Sequence, residues 1–157
     1  MSVTCPYLFL APNLDEIPYS PPYQNPAINW PSDIYSGLPN GIKVVVRNAM
    51  DTAAYNVAVR LYWTQDPSDR ASYHPIPHCP EPEALVTVPP ADAAKPGKVK
   101  VDFSWCTPAW VGGTVYLVAT VEYSAAGCSA TAPSEPTEMQ TSPLCAFRTT
   151  NITPLDI

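Results

Sequence analysis

Charge is the scarcest property of this chain. Asp, Glu, Lys and Arg make up 14% of its 157 residues, well under the quarter or so found in ordinary soluble domains. Eight basic residues stand against fourteen acidic ones for a net charge of −6, and no stretch concentrates Lys or Arg, which excludes a nucleic-acid backbone as partner. Long apolar runs are missing too: none reaches the roughly 18 residues a membrane span needs. Met1 to Pro12 lacks the basic start and small-residue cleavage site of a signal peptide. The expectation is a protein soluble as made, without membrane insertion. An extracellular or virion destination would then require a leaderless route, assembly in the cytoplasm, or prior loss of a leader. Helical periodicity is absent as well, because no window repeats apolar residues at i, i+3, i+4, i+7 over ten residues. Cysteine spacing excludes little but promises little: Cys5, Cys79, Cys106, Cys128 and Cys145 are odd in number, with no CxxC pair. Neither a closed disulfide framework nor a zinc knuckle is spelled out, and each thiol is expected to behave as a small buried hydrophobe.

What is present in quantity is proline, with 21 residues distributed very unevenly. Proline cannot donate to a β-ladder, so proline-free windows mark where central strands can lie. Three such windows run over residues 40–66, 97–107 and 109–132, and each alternates with a period of two. Ile42, Val44 and Val46 share one face while Lys43 and Arg47 share the other. Val57, Val59, Leu61 and Trp63 repeat the device after a polar turn over residues 49–55. Val99, Val101, Phe103 and Trp105 do so against Lys98, Lys100, Asp102 and Ser104. Val115, Leu117, Ala119 and Val121 follow the turn at Gly112 and Gly113, which reads as a hairpin. Shorter candidates span 84–88 and 144–150. Six or seven such strands with apolar inner faces predict an all-β fold, an immunoglobulin-like antiparallel β-sandwich of about seven strands.

Residues 1–40 differ from residues 41–157, which are taken as the sandwich. Eight prolines in this stretch are interleaved with Tyr7, Phe9, Tyr19, Tyr23, Trp30 and Tyr35. Flexible linkers are poor in aromatics, so this stretch reads as an extended arm lying against the sandwich or against a neighbour. Its Cys5 to Leu10 segment has the composition of a strand that adds to the open sheet edge of another subunit. Residues 131–143 read as a long polar loop.

Two segments carry a family resemblance. Residues 42–63, IKVVVRNAMDTAAYNVAVRLYW, and residues 96–123, PGKVKVDFSWCTPAWVGGTVYLVATVEY, resemble the opening hairpin and the later half of bacterial cell-adhesion-related (CARDB-type) immunoglobulin-like modules. The likeness covers roughly residues 33–125 and consists of strand and turn patterns rather than chemical signatures. It implies the sandwich fold and a non-catalytic spacer or adhesion role. The turn after Asn48 lacks the glycine usual in those modules, and their acidic, asparagine-rich last strand is replaced by residues 144–151.

Candidate chemistry is thin. His74, His78 and Cys79 share one loop, but Pro75 and Pro77 forbid the helix that would bring the imidazoles together, and in an extended chain they stand ~13 Å apart at ~3.3 Å per residue. No metal or other cofactor is expected there. The carboxylate pairs Asp15 with Glu16 and Asp66 with Asp69 read as solvated groups, and no G-x-S-x-G elbow occurs. Asn151-Ile152-Thr153 matches a glycosylation sequon, weakened by Pro154. Trp30, Tyr35 and Trp110 could form a platform for sugar rings, the competing role being packing. With no catalytic, metal or cofactor residues to name, the expected function is structural. The chain is read as an oligomerising subunit of a larger particle or filament, of virion decoration or fibre type or a surface appendage. Its partners would be copies of itself or neighbouring subunits. The alternative is a carbohydrate- or cell-surface-binding adhesion module.

Overall fold

Alternation of β-branched and polar residues produces the long strands, and their apolar faces turn towards one another because that is the only way to remove both from water. The computed structural model describes residues 5–30, 33–76, 83–92, 95–107, 113–125 and 127–153. Two long strands, β4 (Pro39–Asn48) and β8 (Gly97–Cys106), pair antiparallel over ten residues, with Val44 opposite Val101 and Ile42 opposite Phe103. Facing them is a larger sheet built on β5 (Ala54–Thr64), β9 (Gly113–Ala125) and β11 (Cys145–Thr153). The edge of β5 takes β6 (His74–Ile76) and β7 (Ala84–Val88), and β10 (Cys128–Ala130) folds back on β9. The fold is an all-β sandwich.

The alternating residues behave as their period requires. Ile42, Val44, Val46, Val57, Val59, Leu61, Val101, Phe103, Trp105, Leu117 and Val121 are all buried in one core between the sheets. Asn56 has φ of 55° inside a register shift where β5 meets β7 between Ala54 and Val57. Gly97 is required by close approach: a Cβ there would sit 1.9 Å from the Pro89 carbonyl oxygen, so any side chain forces the backbone apart.

The first forty residues enter both sheets. Leu8–Phe9 forms β1 and Ile28–Asn29 forms β2, and both line the free edge of β4, placing Leu8 opposite Asn48 and Ile28 opposite Val44. Ile34–Tyr35 forms β3, parallel to β11. Between β1 and β2 the chain crosses to the outer side of the larger sheet. There Tyr23 packs against Tyr116 and Phe147, with ring centroids 5.3 and 5.7 Å away. The segment is therefore packed in cis, with Leu8, Phe9, Leu10, Ile28 and Ile34 buried.

Three expectations need correction. Cys5 and Cys128 are joined in a disulfide, so these two are not free buried thiols; pairing across 123 residues leaves no trace in local spacing. Cys145 is free and buried, whereas Cys106 is free but exposed, and Cys79 lies outside the described residues. The stretch over 131–143 is not merely a polar loop. It contains a one-turn helix, α1 (Pro136–Met139), whose Met139 is buried with Tyr73, Val118, Cys145 and Phe147 in a second apolar cluster. Residues 74–76, read as part of an extended loop, form β6; Pro75 is tolerated because it sits on an edge strand.

Candidate functional site

Two surface grooves, both made where the N-terminal segment meets the sandwich, take in Tyr7, Leu14, Met50, Tyr35 and Leu38 among the exposed large apolar side chains of the described residues, while Tyr55 and Leu85, 64 and 62% exposed, stand outside both. The first lies beside the β4–β5 turn. Asn48, fully buried, organises it: its Oδ1 accepts from the Tyr7 and Met50 amides at 3.2 and 3.1 Å, while its Nδ2 donates to the Thr52 and Pro89 carbonyls at 2.8 and 3.2 Å. Ala49 N–H donates to the Tyr7 carbonyl at 2.9 Å, tying turn to arm. Next to them the arm makes a 3₁₀ turn over Leu14–Glu16, closed by Asn13 Nδ2 donating to Glu16 Oε1 at 2.7 Å. Tyr7, Leu14, Ile17, Ala49 and Met50 together line a groove of about 450 Å³. Tyr7, Leu14 and Met50 are 42, 49 and 40% exposed. A neighbouring groove of about 310 Å³, which shares Leu14 and Ala49 with the first, is lined by Asp15 from the arm and Lys95 from the sandwich.

The second groove, about 160 Å³, lies at the β3–β4 connection between Trp30, Asp33, Tyr35 and Leu38, with Gly41 in its lining. Hydrogen bonds hold the turn rigid. Asn40 Oδ1 accepts from the Tyr35 amide at 3.1 Å, its Nδ2 donates to the Tyr35, Leu38 and Trp105 carbonyls, and Thr107 Oγ1 donates to the Tyr35 carbonyl at 2.8 Å. Trp30 is clamped by Arg148, whose guanidinium lies 4.6 Å from the ring centroid and donates to the Ile28 carbonyl at 2.6 Å.

The other sequence candidates serve local structure. His74 stacks on Trp63 with ring centroids 4.4 Å apart; His78 and Cys79 lie outside the described residues. Asp66 accepts from the Ser68 hydroxyl and amide at 2.6 and 3.1 Å, and Asp69 caps the 3₁₀ turn Arg70–Ser72 through the Ala71 amide. Glu16 accepts from Asn13 Nδ2 at 2.7 Å. Asn151 is exposed on β11, its Oδ1 accepting from the Thr114 hydroxyl at 2.9 Å. Gly113 opens β9 with φ of 81°, while Gly112 and Trp110 lie outside the described residues. Among the described residues no three His, Cys, Asp or Glu side chains come together.

No family model matches the sequence, and no curated protein does. Among solved structures the chain is similar to the CARDB domain of a Pyrococcus furiosus protein, determined in complex with di-metal ions. The two are 12% identical, with a TM-score of 0.56 over 99% of this chain and 100% of that one. The fold is of the CARDB type. A solution NMR structure of the same Pyrococcus furiosus domain gives 16% identity and a TM-score of 0.46, over 82% of this chain and 90% of that one. A β-glucosidase from Listeria innocua in complex with isofagomine gives 11% and 0.44, over 82% of this chain and 16% of that enzyme. At such identities the likeness is one of fold.

In this CARDB-type sandwich the grooves bring together residues that sequence reasoning had separated. Tyr35 and Trp30 line one groove, and Trp30 also packs against the core, so the packing role set against the sugar platform holds for it. The first groove was not foreseen, since Met50 belongs to a polar turn and Leu14 to the arm. The one available signal was a large apolar residue in each otherwise polar neighbourhood.

Proposed function

We propose that this chain is a non-catalytic assembly module, one subunit of a larger particle or filament, that meets a second copy of itself through the groove between the arm and the β4–β5 turn. The observation that carries the reading is the gathering of Tyr7, Leu14 and Met50 in one groove on a chain with only 14% charged residues. Contiguous exposed apolar surface on a folded domain marks a contact site. Asp15 from the arm and Lys95 from the sandwich, which line the neighbouring groove, favour a second copy as the occupant, because a two-fold axis sets each acid opposite the other copy's base. The Cys5–Cys128 disulfide fits a protein that works in an oxidising compartment or on an assembled surface.

Sedimentation velocity over a concentration series tests the reading. The wild type is expected to associate, Leu14→Lys and Met50→Lys to be monomeric with an unchanged circular dichroism spectrum, and the swap Asp15→Lys with Lys95→Asp to recover association lost in either single change. A wild type that stays monomeric at its highest soluble concentration overturns it. A second reading, an adhesion module for surface glycans, is supported by the exposed Tyr35 beside the clamped Trp30.

A further inference from the structure

A glycine inside a strand costs stability, roughly 0.5–1 kcal/mol relative to alanine, unless something requires it. Nothing among the described residues requires Gly41. It lies in β4 opposite Ser104, and a Cβ built on it would meet no atom within 4 Å. In this it is the reverse of Gly97, where a Cβ would strike the Pro89 carbonyl. What Gly41 does is leave open the groove whose other walls are Trp30, Tyr35 and Leu38.

Those walls are set in advance. Tyr35 and Leu38 are exposed, yet the turn that carries them is pinned by Asn40 and Thr107, with the Gly37 amide donating to the Thr107 carbonyl and hydroxyl at 3.0 and 2.9 Å. Trp30 is fixed by Arg148. A backbone fixed before binding leaves only the side chains it carries to be ordered, which lowers the cost of binding.

We propose that this groove is a subsite for one pyranose ring of a neutral glycan, stacked on Tyr35 over Gly41, with Asp33 accepting from its hydroxyls. Three features select this ligand. The apolar C–H face of a sugar ring matches a flat aromatic wall. The Asp33 carboxylate, exposed at the groove, is an acceptor only. It suits a ligand rich in hydroxyl donors and is ill matched to a proline-rich peptide, whose backbone carbonyls have no proton to offer. Asp33 and the net charge of −6 disfavour sulfated or carboxylated glycans. The proposal deepens the glycan reading and is independent of the assembly groove, which uses other residues.

The test is titration calorimetry of the full chain with neutral hexasaccharides of β-1,4-glucose, β-1,3-glucose, α-1,4-glucose, β-1,4-mannose and β-1,4-N-acetylglucosamine. A hydroxyproline-free proline decapeptide and a heparin hexasaccharide serve as controls. At least one neutral hexasaccharide is expected to bind. Gly41→Leu, which fills the groove, and Tyr35→Ala should each weaken it about tenfold or more, and Asp33→Asn by less. Thermal unfolding of Gly41→Leu and Asp33→Asn should match wild type, showing that the loss is not misfolding. Binding that persists undiminished in Gly41→Leu and Tyr35→Ala overturns the subsite while leaving the glycan reading in place. No binding of any neutral hexasaccharide, or binding of only the peptide or heparin, overturns both.

Discussion

The five long strands and the N-terminal segment are held by different forces. Strands β4, β5, β8, β9 and β11 are secured by continuous ladders and by a period-two apolar face buried against its opposite. Residues 5–38 make only two-residue strand pairings and one isolated bridge, Gln24 with Arg148, and beside the burial of Leu8, Leu10, Ile28 and Ile34 they rely on side chains that bond to distant backbone. Asn25 donates to the Leu10 carbonyl at 2.8 Å and accepts from Ala27, Arg47 donates to the Ala11 carbonyl at 3.0 Å, and Asn48 accepts from Tyr7. The Leu10 amide reaches the Pro143 carbonyl and the Thr149 amide the Tyr23 carbonyl, both at 2.8 Å. A ladder distributes its stability over many equivalent bonds, whereas the arm concentrates it in a few groups. The arm is therefore the part that single substitutions can detach, and both grooves sit on its seam.

The largest expected effect belongs to the ladder region. Phe103→Ala empties part of the central core and should cost about 3–5 kcal/mol of global stability in urea denaturation; an unchanged midpoint would contradict the burial of this strand. Next comes the staple between the two regions. Replacing both Cys5 and Cys128 with Ser opens a long covalent loop and should cost about 2–4 kcal/mol. Amide exchange should accelerate first over residues 5–11. Uniform acceleration across β8 and β9 as well would show that arm and sandwich unfold as one unit.

Asn48→Ala leaves two amides and two carbonyls without their partner in a buried setting, and should cost about 1–3 kcal/mol. Asn25→Ala should cost less, since fewer groups are orphaned, with the loss confined to exchange near Leu10 and Ala27. Equal effects would mean the arm is anchored elsewhere.

The smallest effect shows only at alkaline pH and concerns the second apolar cluster, where the arm's Tyr23 packs. Burial pushes the Cys145 thiol from 9.0 up to about 12 and the Tyr73 hydroxyl from 10.0 to about 12. Tyr73 also donates to the Pro67 carbonyl at 2.6 Å. Both groups are neutral when protonated and hold their protons more tightly in the folded state. The stability they lend is complete below pH 9 and is lost as pH rises towards 12. Cys145→Ala should flatten the part of the decline that begins near pH 9, and a pH-independent midpoint over this window would refute the assignment.

Much of the framework could be read directly. Val101, Phe103 and Trp105 are buried as their alternation with Lys100, Asp102 and Ser104 demands, and residues 84–88 form a strand with the boundaries that composition suggested. The N-terminal stretch was read as an extended arm, and its contribution to both sheets was not legible, since two residues are too few to show a period. The Tyr35 and Trp30 pairing was visible as chemistry, and the opening above Gly41 was not, because an empty volume has no sequence signature.

Local alternation, proline exclusion and the paucity of charge were enough to determine an all-β sandwich, for they act through nearest neighbours along the chain and the burial they require. Tertiary structure alone decided that Cys5 meets Cys128, that Asn48 knots turn to arm, and that Leu14 and Met50 share one groove. Those contacts join residues tens of positions apart. Their geometry exists only after the two sheets have closed and the arm has docked along the edge of β4.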